Sequence, residues 1–217
     1  MIEMTPAFLW DMDGTLFDSK ETHFISWQHA LQMHGYTLDR QIYNANFGRN
    51  NRANVPLFLG FEPEPDLYDT IVETKECVFR QIAAESASLV PGVQSWLTTA
   101  RNAHIPQVVA SSAPMVNIET LLAEFGLISF FDHLISGEDM PAKPEPDIFL
   151  AAAQIVQRAP DHCWVIEDSL PGIMAAKNAG MRCIAVATSH PASELSMADV
   201  ILADFTTPLA KVISLSD

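Results

Sequence analysis

Short, largely apolar runs alternate with longer segments of helical periodicity along most of this chain. The apolar runs lie at 7–10, 107–111, 133–136, 163–166, 183–187 and 200–202, and their length and content predict buried strands. Between them, apolar residues recur every three or four positions, which predicts helices, the last of them from Pro208 onwards. This alternation indicates an α/β fold in which a doubly wound parallel sheet is covered by helices on both faces.

The segment from Lys20 to about Ala87 has a different pattern. It contains no strand-like run, and apolar positions such as Phe24 and Trp27 follow helical spacing. Glycines and a Pro-rich stretch divide it into several helices. We therefore predict a small all-helical cap domain at residues 20–87, inserted after the first strand into a core formed by residues 1–19 and 88–217.

Composition and charge narrow the possible partners. The chain has 217 residues, of which 48% are hydrophobic, enough for a sizeable core. Its formal net charge of −15 argues against binding to nucleic acid or to an anionic membrane surface. Three cysteines without framework spacing, no signal peptide and no membrane-spanning run favour a cytoplasmic protein with reduced, mostly buried thiols. The sequence leaves the oligomeric state open between a monomer and a weak homo-oligomer.

Reactive polar side chains occur where the predicted strands end. Asp11 and Asp13 follow the first strand two positions apart, so both project to the same side of an extended backbone. Two carboxylates this close repel each other, which raises one pKa or requires a cation. Because ligands of parallel sheets bind beyond the carboxyl ends of the strands, we expect further groups to meet them there. These groups are Ser111, Lys143, Glu167 and Asp168.

Each of these groups also has an ordinary structural explanation. The two aspartates could belong to a solvated turn, and Ser111 and Ser112 could cap the following helix. Lys143 could be a solvated loop residue, and Glu167 with Asp168 could cap another helix. Their joint occurrence at the strand ends and one loop favours a functional site over separate structural roles.

The order of these motifs resembles that of the haloacid dehalogenase superfamily of phosphoryl-transfer enzymes. Asp11-Met12-Asp13-Gly14-Thr15 resembles its first motif, Ser111 the second, Lys143-Pro144 the third and Glu167-Asp168 the fourth. The strings at 143–149 and 167–173 are similar to the β-phosphoglucomutase and phosphoglycolate phosphatase-like subfamily, whose helical cap follows the first strand. The resemblance spans essentially the whole chain, is weakest between Asp39 and Pro65, and implies a Rossmann-like core.

The resemblance implies a two-step phosphoryl transfer. Asp11 would attack phosphorus and form an aspartyl-phosphate. Asp13 would protonate the leaving oxygen and then take a proton from water, and we expect its neighbour's charge to keep it protonated at the start. Ser111 and Lys143 would stabilise the transferred group.

A bound Mg²⁺ is also implied by the resemblance. Its ligands would be the Asp11 carboxylate, the Asp13 backbone carbonyl and Asp168, hard oxygen donors that suit this ion. Glu167 would orient the ligands or bind the ion occasionally.

Substrate choice is expected to depend on the predicted cap, because the core residues serve the phosphate of a small phosphorylated metabolite. The candidates are His23, Trp27, Arg49, Arg52, Lys75 and, from the core, Ser112. Packing within the helices is an equal explanation for the histidine and the tryptophan. For each cation taken alone, a solvated surface position is favoured over substrate contact.

Four activities remain to be compared. A Mg²⁺-dependent phosphatase of a small phosphorylated metabolite is favoured, with a sugar phosphate or similar phosphomonoester as the expected substrate. A sugar phosphomutase is the alternative, weakened because the Ser-Lys pair of similar mutases is replaced by Ala113-Pro114 here. An inactive binding protein on the same fold is a remote alternative, because no reactive group is missing. Dehalogenation is disfavoured, since it does not need the acid at Asp13.

Overall fold

The computed structural model describes residues 5–213. Its strands are β1 (Ala7–Trp10), β2 (Phe17–Asp18), β3 (Ser88–Leu89), β4 (Gln107–Ser111), β5 (His133–Ser136), β6 (Cys163–Glu167), β7 (Arg182–Val186) and β8 (Val200–Leu202). Its α-helices are α1 (Lys20–Met33), α2 (Arg40–Asn46), α3 (Asn51–Leu59), α4 (Pro65–Ser86), α5 (Val93–Asn102), α6 (Met115–Glu124), α7 (Asp147–Ile155) and α8 (Leu170–Asn178).

The main sheet has the strand order β5-β4-β1-β6-β7-β8, and all its neighbouring strands are parallel. This confirms the predicted α/β fold with a doubly wound parallel sheet. β1 lies near the centre, with Trp10 opposite Val109 of β4 and Ile166 of β6. The carboxyl ends of these three strands therefore lie side by side, and the residues that follow them share one edge of the sheet.

Both faces of the sheet are buried. Phe8 and Trp10 contribute to the apolar core on one face, and Leu9 between them contributes to the core on the other. This alternation follows from the two-residue period of an extended strand. A near-continuous apolar strand is what a sheet covered on both sides requires.

Residues 20–86 form the four helices α1 to α4, which have an apolar cluster of their own. Trp27 and Leu31 of α1 pack there with Tyr43 of α2, Phe58 of α3 and Ile71 of α4. We call this segment the cap helices. The division of the chain into two domains at residues 20 and 87 remains a prediction.

Two elements differ from the sequence-based expectations. β2 and β3 form an antiparallel pair, Phe17 opposite Leu89, where the chain enters and leaves the cap helices. Strands of two residues give no alternation long enough to detect. The helix expected from Pro208 is, within the described residues, a single 3₁₀ turn at Leu209–Lys211, and residues 214–217 lie outside the described part.

The structure bears on two expectations from the sequence, the burial of the cysteines and the lack of a membrane-spanning segment. Cys163 and Cys183 are buried free thiols, whereas Cys77 is an exposed one, so the expectation of burial holds for two of the three. Across residues 5–213, no helix combines the length and the apolar character needed to cross a membrane.

Candidate active site

A buried lysine joins two carboxylates at the centre of the sheet edge. Lys143 Nζ donates to Asp11 Oδ1 at 2.5 Å and to Glu167 Oε1 at 2.7 Å. Asp11 directly follows β1, Glu167 ends β6, and Lys143 is only 1% exposed. A buried ammonium group is costly unless its N–H groups are hydrogen-bonded, so the two carboxylates fix the position of the lysine. Three residues far apart in sequence thus form one charged cluster.

The second oxygen of Glu167 holds the turn after β6 in place. Oε2 accepts from the backbone N–H groups of Asp168 and Ser169 and from Ser169 Oγ, at 2.6 to 2.9 Å. Gly172, in the first turn of α8, lies so close that a Cβ there would be 1.7 Å from Glu167 Oε1. Glu167 therefore orients both Lys143 and the backbone around Asp168.

Asp168 carries the strongest structural indication of a cation. Its Oδ2 is buried and has no hydrogen-bond partner among the described residues, and Oδ1 accepts only a long bond of 3.4 Å from Thr15. Ligand oxygens of Asp11, Glu167 and Asp168 all lie within 4.8 Å of one another. At Gly14, whose φ is +88°, a Cβ would lie 1.9 Å from Asp168 Oδ2. An all-oxygen donor set with an unsatisfied carboxylate fits a hard divalent ion such as Mg²⁺.

Burial dominates the electrostatics of this cluster. It raises the pKa of Asp11 to about 8, with Glu167 acting in the same direction and Lys143 opposing. Burial and the neighbouring carboxylates Glu167 and Asp11 also raise the pKa of Asp168 well above its usual value. Lys143 stays charged, because its carboxylate partners outweigh its burial and raise its pKa. The metal-free cluster has more negative groups than one lysine can balance, which is the electrostatic reason to expect a cation.

Asp13 has a different environment from Asp11. Its Oδ1 accepts a hydrogen bond of 2.6 Å from Ser19 Oγ, and His23 Nε2 lies 2.9 Å from the same oxygen without the alignment of a hydrogen bond. Burial alone would raise the pKa of Asp13, but His23, Ser19 and Lys75 outweigh it and lower the pKa. The expectation that a neighbouring charge keeps Asp13 protonated is therefore corrected, since the resting site favours its carboxylate.

A small cavity of about 40 Å³ opens between the cluster and the cap helices. From the core it is lined by Asp11, Asp13, Ser111 and Ser112. Ser111 Oγ accepts from the backbone N–H of Ala113, which leaves its proton free to be donated. Ser112 Oγ instead donates to the carbonyl of Gly48 in the cap helices, at 2.8 Å.

The wall formed by the cap helices contains three of the predicted substrate residues. His23, Arg49 and Lys75 all line the cavity. Lys75 Nζ donates to Glu76 Oε1 at 2.7 Å, and both side chains are buried. Arg49 Nε is buried without a hydrogen-bond partner among the described residues. The cavity therefore has one neutralised cation and one with an unused donor.

Two predicted substrate residues lie elsewhere. Trp27 is 2% exposed, packs against Phe58 with ring centroids 5.2 Å apart, and is not among the residues that line the cavity. Arg52 is exposed on α3 and also lies outside the cavity lining. These positions support the packing alternative for Trp27 and the surface alternative for Arg52, and substrate contact by either residue stays a prediction.

The sequence did not single out several polar side chains around the cavity. Asn51 Nδ2 and Asn117 Nδ2 both donate to Glu76, at 2.8 and 2.6 Å. Asn54 lines the cavity, and its Nδ2 donates to the carbonyl of Arg49. The sequence does contain one signal for them, since three asparagines lie at positions 50, 51 and 54, directly after Arg49.

Comparison with known proteins agrees with this geometry. The sequence model of the family of haloacid dehalogenase-like hydrolases matches residues 5–180 of this chain. Fructose-1-phosphate phosphatase of Escherichia coli (strain K12) is 32% identical over 193 residues, 86% of this chain and 98% of that protein. Beta-phosphoglucomutase of Bacillus subtilis (strain 168) is 29% identical over 194 residues, 85% of this chain and 84% of that protein. The similar proteins thus include both a phosphatase and a phosphomutase.

A solved structure extends the similarity to three dimensions. A variant of CbbY from Rhodobacter sphaeroides, in complex with xylulose-(1,5)bisphosphate, has a TM-score of 0.83 at 30% identity, over 94% of this chain and 96% of that chain. The matched family region includes all four motifs, from Asp11 to Asp168. The chain therefore belongs to the haloacid dehalogenase-like hydrolases.

Proposed function

We propose that this protein is a Mg²⁺-dependent phosphatase that hydrolyses a small phosphorylated metabolite through an aspartyl-phosphate on Asp11. One observation carries the proposal. The carboxylate of Asp11 lines the cavity together with Asp13 and Ser111, and it is also in contact with Lys143 and close to Asp168. Phosphoryl transfer requires a nucleophile, a proton carrier, a hydroxyl donor and a fixed positive charge, and all four lie at this edge of the sheet.

The carboxylates of Asp11 and Asp168 and the backbone carbonyl of Asp13 are the proposed ligands of Mg²⁺. When bound, the ion supplies positive charge that reduces the repulsion between the phosphate and Asp11. Glu167 is already committed to Lys143 and to the backbone after β6, which makes it an orienting residue.

In the proposed first step, an oxygen of Asp11 attacks phosphorus, and the bond from phosphorus to the leaving oxygen breaks. Lys143 holds the attacking carboxylate in place and adds positive charge beside the transferred group. Ser111 donates its free proton to a phosphoryl oxygen. The products are an aspartyl-phosphate and an alcohol.

Asp13 is the proposed proton carrier in both steps. It must bind a proton before it can give one to the leaving oxygen, because Ser19 and His23 favour its carboxylate at rest. In the second step, that carboxylate takes a proton from the water that attacks phosphorus, which releases phosphate and restores Asp11. The resting site therefore already holds Asp13 as the carboxylate that the second step needs.

The cavity favours a hydroxylated substrate. Asn54 Oδ1 is buried without a partner among the described residues, and the Nδ2 bond to Arg49 fixes which end of the amide is free. A free acceptor selects for a donor, such as a sugar hydroxyl, and Arg49 Nε offers a matching donor. A sugar phosphate or sugar-alcohol phosphate is therefore the proposed substrate class, as in the phosphatase named above.

A phosphomutase is the second candidate, and the similarity to beta-phosphoglucomutase keeps it in consideration. A mutase must hold a second phosphate with preplaced donors and cations. Ala113 is apolar and Pro114 lacks an N–H, while Lys75 is neutralised by Glu76. Arg49 alone among the proposed cap cations keeps a free donor at the cavity, so hydrolysis is favoured.

The test is a panel of sugar, sugar-alcohol and other metabolite phosphates incubated with the protein and Mg²⁺. Release of inorganic phosphate is expected, and a chelator should stop it. A parallel reaction contains β-glucose 1-phosphate with a trace of glucose 1,6-bisphosphate. Formation of glucose 6-phosphate with little free phosphate there would replace the phosphatase by the mutase.

The other expectations remain proposals. The acidic charge favours neither nucleic acid nor an anionic membrane as a partner, and reduced thiols suit a cytoplasmic location. A monomer or weak homo-oligomer is proposed for solution.

A further inference from the structure

Asn50 connects the cap helices to the core by an unusual set of contacts. Its Nδ2 lies 3.0 Å from the carbonyl oxygens of Gly137 and Met140 and 3.3 Å from that of Glu138. These carbonyls belong to the loop between β5 and Lys143. The side chain is 2% exposed, so the bonds are sheltered from water.

Helix capping accounts for the oxygen of the Asn50 amide but not for its nitrogen. Asn50 is the N-cap of α3, and its Oδ1 accepts from the backbone N–H of Ala53 at 3.1 Å. Ser or Asp would cap the helix equally well. The amide nitrogen is needed for a different reason, because the converging carbonyls require a donor and would repel an oxygen.

The neighbouring residues dock on the same side. Ser112 of the core donates to the carbonyl of Gly48, and a Cβ at Gly48, whose φ is +93°, would lie 2.4 Å from Ser169 Oγ. The loop at 48–50 therefore touches the core segments that follow β4, β5 and β6. Ser111 ends β4, and Lys143 and Asp168 lie in the segments after β5 and β6.

We propose that Asn50 is a positioning residue that latches the cap helices onto the lysine-bearing loop and so holds the cavity closed during turnover. Its three carbonyl contacts exist only while the 48–50 loop is docked. Loss of the latch therefore favours undocked arrangements, in which Arg49 and Asn54 no longer face the phosphate site. The expected consequence for catalysis rests on the proposed phosphatase function, whereas the docking itself does not.

Two variants separate the latch from the helix cap. Asn50→Asp keeps an oxygen for Ala53 but turns a carboxylate oxygen towards the three carbonyls, and Asn50→Ser caps without reaching them. Asn46→Asp is the charge control, because the Asn46 amide bonds within its own helix, to the carbonyl of Ile42. All three variants should fold. The two Asn50 variants should melt below the wild type, because buried carbonyls lose their donor, whereas Asn46→Asp should melt near it.

Hydrogen–deuterium exchange is measured without substrate. Both Asn50 variants should exchange faster at 48–50 and 137–140, while the amide of Ala53 keeps its protection and Asn46→Asp matches the wild type. With the best sugar phosphate from the panel, kcat/KM should fall about tenfold or more, largely through KM, as loss of buried hydrogen bonds predicts. Asn50→Asp should be the more damaging of the two.

Unchanged exchange at both loops in both variants would overturn the latch, whatever the kinetics. Faster exchange with unchanged kcat/KM would overturn its role in turnover. If the wild type releases no phosphate from any substrate, the proposed function fails, and the exchange data alone then decide whether Asn50 holds the cap helices.

Discussion

Asp11 and Asp13 are two residues apart yet have opposite electrostatic environments. Burial and neighbouring carboxylates raise the pKa of Asp11 to about 8, whereas His23 and Ser19 lower the pKa of Asp13 against the effect of burial. Paired groups whose pKa values are driven apart commonly divide roles in catalysis. Here the arrangement supports a nucleophile that depends on a cation and a proton carrier that rests as a base.

Replacement of the nucleophile gives the first prediction. Asp11→Asn should lower kcat by about 10⁴-fold or more, because an amide oxygen does not form the acyl-phosphate. The fold should persist, since Lys143 keeps Glu167 as a partner. Phosphate release and circular dichroism on the same samples check both expectations. Turnover near the wild-type rate would show that Asp11 is not the nucleophile.

Replacement of the proton carrier should depend on the leaving group. Asp13→Asn should lower kcat by about 10²- to 10⁴-fold on an alkyl phosphate, whose leaving oxygen needs a proton. The loss should be smaller on p-nitrophenyl phosphate, because a nitrophenolate leaves unprotonated, although the second step still lacks its base. Equal losses on both substrates would contradict the role as acid. Asp18→Asn, at an exposed neighbouring position, is the control.

At the scale of elements, the site depends on how closely α8 approaches the end of β6. Gly172 allows this approach, because a Cβ there would lie 1.7 Å from Glu167 Oε1 and 2.6 Å from Oε2. Gly180 follows the same helix at φ +74°, with nothing within 4 Å of a Cβ. The two glycines therefore serve different purposes, space in one case and backbone conformation in the other.

Gly172→Ala should lower the free energy of unfolding by about 1–3 kcal/mol or more and weaken activity, because Glu167 must move. Gly180→Ala should cost about 1 kcal/mol from backbone strain and leave activity intact. Urea unfolding and phosphate release on both variants test the comparison. Full activity in Gly172→Ala would show that the position of Glu167 is not critical.

The sequence predicted the main sheet because its strands are short, largely apolar runs of three to five residues, as at Ala7–Trp10 and Val200–Leu202. It placed Asp11, Ser111 and Asp168 together because strand order in a parallel sheet brings their ends to one edge. It did not predict the β2–β3 pair, which is too short for a periodic signal. Contacts between the cap helices and the core, such as Asn50 with Gly137, depend on docking that no local pattern encodes.

The protonation of Asp13 could not be read from the sequence for a related reason. The spacing of two aspartates predicts repulsion, but His23 reaches Asp13 only because α1 begins directly after Ser19 and points back to the site. Likewise Trp27 and Arg52 share helices with cavity residues but face the cap core and the solvent. Helical spacing predicts which side chains share a face of a helix, but tertiary packing determines whether that face contacts the cavity, the core or the solvent.

At the scale of the whole molecule, stability and metal binding should be coupled through pH. The unfolded pKa of Asp11 is near 3.8 and the folded value is about 8, so between them the metal-free folded state holds a proton that the unfolded state has released. Stability of the metal-free protein should therefore fall, through this residue, as pH rises from about 4 to about 8. His190, whose pKa burial lowers, acts in the opposite direction near pH 6.5.

Asp11→Asn removes the Asp11 contribution and keeps that of His190. Because Asp11 also raises the pKa of Asp168, the difference between wild type and variant reports these two carboxyl groups together. In chelator, that difference should favour the variant increasingly from pH 5.5 to pH 8. Mg²⁺ at about 100 times its Kd should stabilise the wild type by about 2.7 kcal/mol at pH 8 and less at pH 5.5. Thermal melts with and without Mg²⁺ provide the data. Equal stabilisation of the variant and the wild type would contradict Asp11 as a ligand.

The most direct test of the account is a single-turnover experiment on the wild-type protein with a ³²P-labelled sugar phosphate identified from the panel. In Mg²⁺, acid quenching within the first turnover should trap labelled protein, and peptide mapping should place the label on Asp11, with labelled inorganic phosphate as the final product. Asp11→Asn and chelator should each abolish the trapped label. Label on another residue, or phosphate release in Mg²⁺ with no labelled protein at any time, would contradict an aspartyl-phosphate mechanism.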